Sequence, residues 1–173
     1  EMTDAVTLHP YLGTDSVEPF LDRCRDTGKG LFILVKTSNP SSAEFQHLRC
    51  PEHRLCDEVA RWVNDLGARF PLESGFSPIG AVVGATAGDD IASLRKSMPH
   101  AWLLLPGVGA QGASTADCAA AFSDGLGALI SQSRGVMQCF APEDTDWEEQ
   151  VQAAAARFSQ EAASFAAAGA PPS

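Results

Sequence analysis

Two short stretches carry the residue types that could grip an anion. Residues 103–113, LLLPGVGAQGA, form an apolar run that stops at Pro106-Gly107 and gives way to glycines around one glutamine, Gln111. A strand ending in a glycine-dense turn exposes backbone N–H groups where an anion can sit. The second stretch, Ser133-Arg134-Gly135, adds a guanidinium that can hold phosphate oxygens in a two-pronged way. A third, LVKTSNPSS, places the hydroxyls of Thr37 and Ser38 after another apolar run. A different chemistry is raised by HLRCPEHRLC, where His47, Cys50, His53 and Cys56 recur at three-residue intervals and all four are zinc-ligand types. Pro51 interrupts any helical stripe through them and the spacing is not the paired CxxC of common zinc modules, so the segment reads as a surface loop before a helix.

The elements around these stretches alternate. AVTLHP reads as a strand, and TDSVEPFLDRC after it as a helix with a D-x-x-E capping box at Asp15 and Glu18. GLFILVK is a continuous apolar run of the kind buried on both faces, followed by a helix with Leu55, Val59, Trp62, Val63, Leu66 and Phe70 at helical spacing. PIGAVVGAT is a third strand, with Gly84 at its carboxyl end and a short helix over about residues 89–98; Asp89-Asp90 is expected to cap that helix. HAWLLLP is a fourth, with an Ala-rich helix expected over about 114–122, and LGALIS a fifth, with a closing helix from WEEQ onward. The reading is one domain over residues 1–168 and a disordered tail over 169–173.

Strict strand and helix alternation means a parallel sheet covered by helices, either open and doubly wound or part of a barrel. A closed (β/α)8 barrel typically takes about 250 residues. Five units in 173 residues would be about five eighths of one, and a chain that opens at Glu1 almost directly on a strand reads as a cut piece. A net charge of −10, with only twelve Lys and Arg spread along the chain, argues against nucleic acid and anionic membrane as partners. No run approaches the roughly 18 apolar residues of a membrane span, and the start has no signal-peptide pattern, so a cytoplasmic protein is expected. The five scattered cysteines suit reduced thiols.

Taken together, DAVTLHPYLGTDSVEPF, LVKTSNPSS, LLLPGVGAQGA and SRG occur in the order and spacing of orotidine 5′-phosphate decarboxylase, and from about Asp4 to about Phe140 the chain resembles the carboxyl-terminal part of that family's longer bacterial form. The resemblance implies an α/β TIM barrel, (β/α)8, of which about the last five βα units are present. It implies a cofactor-independent lyase that converts orotidine 5′-monophosphate (OMP) to uridine 5′-monophosphate (UMP) and carbon dioxide in pyrimidine biosynthesis, homodimeric when full length, with no metal. Carried over by position, Gln111 is a phosphate ligand that closes over the pyrimidine, Pro106, Gly107 and Gly112 belong to the phosphate loop, and Ser133 and Arg134 grip the phosphate. Ser38 matches the serine at the pyrimidine amide edge, with Thr37 as a second assignment.

One departure from that family is large. Its catalytic lysine and aspartates lie in a D-x-K-x-x-D motif on an earlier strand, and this sequence contains no such motif, so no catalytic residue is assigned within it. Lys36 matches a position outside the catalytic group and is expected to face solvent or a neighbouring carboxylate. The expected function is therefore the phosphate- and pyrimidine-binding part of the decarboxylase, inactive alone. The alternative is a non-catalytic phosphate- or nucleotide-binding protein derived from the same barrel. A sugar-phosphate decarboxylase or aldolase on that barrel would share the phosphate grip, but would leave TSNPS without a task.

Overall fold

The computed structural model describes residues 3–168; the tail expected over 169–173 lies outside the described residues. Strands β1 (Ala5–Leu8), β2 (Gly30–Lys36), β3 (Ser77–Val83), β4 (Ala101–Pro106) and β5 (Ala128–Ser131) form one sheet in chain order. Every neighbouring pair is parallel. The crossovers are α1 (Thr14–Thr27), the short α2 (Ala43–Gln46) with α3 (Leu55–Gly67), α4 (Asp90–Ser97), and a 3-10 turn at Ala116–Ala121. After β5 come α5 (Arg134–Met137) and the long α6 (Trp147–Ala168). This is the α/β plan of five units of a (β/α)8 barrel.

The two faces of the sheet differ. Leu31, Ile33 and Val35 of β2, Ile79, Ala81 and Val83 of β3, and Ala101, Leu103 and Leu105 of β4 join Val17, Leu21, Val63, Ile91 and Leu94 of the helices in one buried cluster. On the other face the register aligns Leu34, Val82, Leu104 and Leu129 in a row across four strands. A closed barrel turns that face inward. Here Leu129 remains 46% exposed.

Local starts and stops depart from the sequence pattern in three places. Helix α1 begins at Thr14, behind Gly13, so Asp15 stands inside the first turn and makes no capping box. Glu18 is taken instead by Arg69, which lies after α3, through two hydrogen bonds. The Ala-rich segment is a 3-10 turn rather than an α-helix, held at its start by a box in which Ser114 N–H donates to Asp117 Oδ2 at 2.7 Å and Asp117 N–H to Ser114 Oγ at 3.3 Å. Neither Asp89 nor Asp90 caps α4 with its side chain. Asp90 accepts from Arg54 Nη1 at 2.8 Å, and Arg54 also forks onto Asp57 at 2.9 Å, so one guanidinium ties the beginnings of α3 and α4. Arg54 holds the Asp57 carboxyl below its ordinary range.

A second arginine fixes the opposite end of the sheet. Arg95, near the end of α4, is 8% exposed and donates to the carbonyls of Met98, Ala101, Gly127 and Ala121, those of Ala101 and Gly127 at 2.7 and 3.2 Å. Its guanidinium also lies 6.0 Å from the Phe76 ring centroid, and Phe76 packs at 4.9 Å on Trp102. Burial lowers its pKa to about 10, so it is still charged at neutral pH. One side chain thereby joins α4, the entries of β4 and β5, and the end of the 3-10 turn.

Replacing Arg95 by Met should cost about 2–4 kcal/mol, because backbone carbonyls lose charge-assisted donors. Arg95→Lys should recover less than half of that, since an ammonium cannot fork across four acceptors. Denaturant midpoints of the two variants measure this, and equal, wild-type midpoints would exclude the clamp.

Candidate functional site

Because all five strands are parallel, the carboxyl ends of β2 to β5 share one rim. The first departure from regularity there is in β2, whose register against β3 shifts between Leu34 and Lys36, so that Lys36 pairs with Val83. A bulge of this kind re-aims the following side chain. Lys36, expected in solvent or on a carboxylate, is instead 6% exposed and donates from Nζ to Ser42 Oγ at 2.8 Å. The ammonium therefore pins the TSNPS turn from beneath rather than standing at the mouth.

Above it, Ser38 is hemmed in by two strand ends. Gly84 N–H donates to Lys36 O at 2.7 Å, and a methyl carbon on Gly84 would sit 2.7–2.9 Å from Ser38 N, Cβ and Cα. Thr86 Oγ1 donates to the Ser38 carbonyl at 3.3 Å. Gly107, at φ +105°, approaches from β4: a methyl there would lie 3.2 Å from Ser38 Oγ and 2.6 Å from Gln111 Oε1. Residues 73 positions apart in sequence, Ser38 and Gln111, thus meet around a glycine that leaves them room. The Ser38 hydroxyl makes no hydrogen bond among the described residues. Thr37 is differently placed. Its N–H donates to Gln46 Oε1 at 3.0 Å, and its hydroxyl donates to Asn39 Oδ1 at 2.6 Å and accepts from Gln46 Nε2 at 2.8 Å, which leaves it in the turn's own bonding.

The loop after β4 is folded on itself. Gly109 N–H donates to Ala113 O at 2.8 Å and Gly112 N–H to Gly109 O at 2.9 Å, while the buried Val108 and Ala113 anchor its two ends. Gln111 and Gly112 stand exposed at its crest. Pro106, the last residue of β4, pairs with Ser131 at the end of β5. Two residues on, Ser133 and Arg134 are exposed, Ser133 O accepting from Met137 N at 2.8 Å at the start of α5. The Arg134 guanidinium makes no ion pair or hydrogen bond among the described residues. Exposed backbone turns, a hydroxyl, a carboxamide and one uncommitted cation on a single rim suit an anionic ligand with a polar planar edge.

Gln132 was not marked by sequence pattern, yet its side chain lies against both Gly109 and Gly135. Only the glycines on either side hint at that approach. The metal-type residues do not converge: among the described residues no group of three or more His, Cys, Asp or Glu could hold an ion. Cys56 is buried in α3, and burial pushes its thiol up, as it does for Cys24 and, to about 11, for Cys118. These are packing groups rather than nucleophiles. A cavity of about 540 Å³ lies elsewhere, among Gly30, Phe32, Phe76, Ser77 and Trp102, and no residue of the rim lines it. No helix among the described residues is long and apolar enough to cross a membrane.

The family model described as orotidine 5′-phosphate decarboxylase / HUMPS family matches residues 1–138. The orotidine 5′-phosphate decarboxylase of Rhodopirellula baltica is 39% identical over 167 residues, covering 92% of this chain and 55% of the relative. That of Deinococcus radiodurans is 47% identical over 135 residues, covering 77% and 48%. The solved structure of Leishmania donovani OMP decarboxylase superposes with a TM-score of 0.67 at 31% identity, over 92% of this chain and 57% of that one. The chain spans about half the length of the curated relatives it matches.

The crowding at Gly84 has a measurable consequence. Its backbone is ordinary, with φ −57° and ψ 136°, so a substitution there is resisted only by the contact with Ser38. Gly84→Ala should cost about 1–3 kcal/mol, the usual range for overpacking against atoms that cannot swing away. Hydrogen exchange should show the loss as faster exchange over residues 36–39; an unaffected turn would mean that the β2 and β3 ends are free to part.

Proposed function

We propose that this chain, which belongs to the orotidine 5′-phosphate decarboxylase / HUMPS family, carries the pyrimidine- and phosphate-gripping part of an enzyme that converts OMP to UMP and carbon dioxide. The observation that carries the reading is the meeting of Ser38 and Gln111 around Gly107 on the rim that also bears Arg134. In this reading Ser38 Oγ and the Gln111 carboxamide address the amide edge of the ring, and Gln111 also reaches the phosphate. Arg134 and the backbone N–H groups of the 107–112 loop and of residues 133–134 that make no bond within their own turns take the phosphate oxygens. The protein is a cytoplasmic homodimer when complete, with no cofactor.

The chemistry asks for more than grip. Loss of carbon dioxide leaves a carbanion on the ring, which an ammonium must stabilise and protonate. None of the chain's three lysines is placed for this: Lys29 donates to Thr3 O, Lys36 is buried on Ser42, and Lys96 is exposed on α4. The proton donor and its carboxylates then belong to strands other than β1 to β5, those that would close the barrel. What these residues supply is remote binding energy, which organises the site for the transition state rather than performing the transfer.

Calorimetric titration with UMP tests the grip. Arg134→Ala should weaken binding by about 2–3 kcal/mol, as expected for removing a charge-assisted fork; unchanged affinity would remove the phosphate role. Spectrophotometric loss of OMP tests the division of labour. The chain alone should show no turnover, because the missing donor accounts for much of the roughly 8–23 kcal/mol by which enzymes lower barriers. Turnover by the chain alone would overturn the reading, and recovery on adding an amino-terminal segment of a related decarboxylase would support it.

A further inference from the structure

We propose that Gln132 couples the loop after β4 to the turn after β5 and turns its carboxamide toward the phosphate monoester held between them, an inference that rests on the phosphate reading above. Gln132 directly follows β5, one residue before Ser133. A methyl carbon on Gly109 would lie 2.5 Å from Gln132 Nε2, and one on Gly135 would lie 2.7 Å from both Cδ and Nε2. The carboxamide therefore fills the space between the two segments, and each of them presents a glycine to it. It is half-buried, and neither end of it makes a hydrogen bond among the described residues.

An amide wedged between two backbone turns, with two donors and an acceptor unspent and still within reach of solvent, is suited to oxygens arriving from outside. Its placement is complementary to that of Gln111, which folds against Gly107 beside Ser38. Along the rim the order is then hydroxyl, first carboxamide, second carboxamide, guanidinium. The first pair suits a planar polar ring and the second pair an anion. The wedge also means that the 107–113 loop and the 133–135 turn cannot shift independently, so ordering one by a ligand orders the other.

Gln132→Glu keeps the shape of the wedge and adds a negative charge, and Gln132→Met keeps its length without donors. Titrated at pH 8, where a phosphate monoester is a dianion, UMP should bind Gln132→Glu at least about thirtyfold more weakly than wild type and Gln132→Met about tenfold more weakly. Uridine, which lacks the phosphate, should bind all three within about twofold. A Gln132→Glu variant that holds UMP as wild type does, or that loses uridine equally, would overturn the phosphate-facing role. The coupling has its own readout in the chain without ligand: Gln132→Ala should speed backbone hydrogen exchange in both 107–113 and 133–135, and acceleration in neither or in only one segment would overturn it. Failure of wild-type chain to bind UMP would instead sink the phosphate reading, and with it the ligand-facing half of this proposal, leaving the coupling to be judged by exchange.

Discussion

Everything at the rim depends on the close approach of three strand ends, which holds only because residues 84 and 107 lack side chains. Parallel pairing brings the carboxyl ends of β2, β3 and β4 to one edge, but at ordinary strand spacing, with side chains between them. Gly84 lets the Ser38 backbone lie against β3, and Gly107 lets Gln111 fold back beside Ser38. The hydroxyl and the carboxamide are thus positioned by backbone contact rather than by long side chains reaching across a cleft. Such positioning costs little side-chain entropy on binding.

The same rim is held from outside by charge. Lys36 is buried behind the TSNPS turn on Ser42, and Arg54 forks from the start of α3 onto Asp57 and Asp90. Asp57 contributes stability that is complete above the ordinary carboxylate range and is lost as pH falls through its lowered folded value, because below that point the carboxyl is protonated in both states. At the other end of the sheet Arg95 spends its two Nη groups on backbone carbonyls. Arg134, by contrast, makes no ion pair or hydrogen bond among the described residues, and it stands on the rim.

Much of this was legible in the sequence, and the parts that were not share a cause. The alternation of apolar runs with helical stripes fixes the five strands, and the continuous apolar runs GLFILVK and AWLLLP mark strands of a parallel sheet, one face of which is here only partly covered. Side chains that act through distant partners escape such reading. Lys36 looks like a solvated strand-end lysine until a one-residue register shift turns it toward the helices. Glu18 looks like half of a capping box until Arg69 takes it from 51 residues away. Gln132 carries no local signal at all, since its neighbours Gly109 and Gly135 become informative only when folded together. Among the rim residues, Gln111 and Arg134 were marked by the company they keep in sequence, whereas the juxtaposition of Ser38 with Gln111 is a product of the sheet.

The partly open face of the sheet gives the proposed reading a physical reason for grip and chemistry to separate along the chain. Leu34, Val82, Leu104 and Leu129 form a row that a closed barrel buries against strands from the other side. On that reading, a ligand held at the rim by Ser38, Gln111 and Arg134 would sit over the open end of that same space, so whatever strands cover the row would also bring their own carboxyl ends to the ligand's far side. Closing the core and completing the reactive constellation are then one event. A group needed only for the transition state gains from arriving this way, because it is desolvated and oriented by the packing that buries the apolar row.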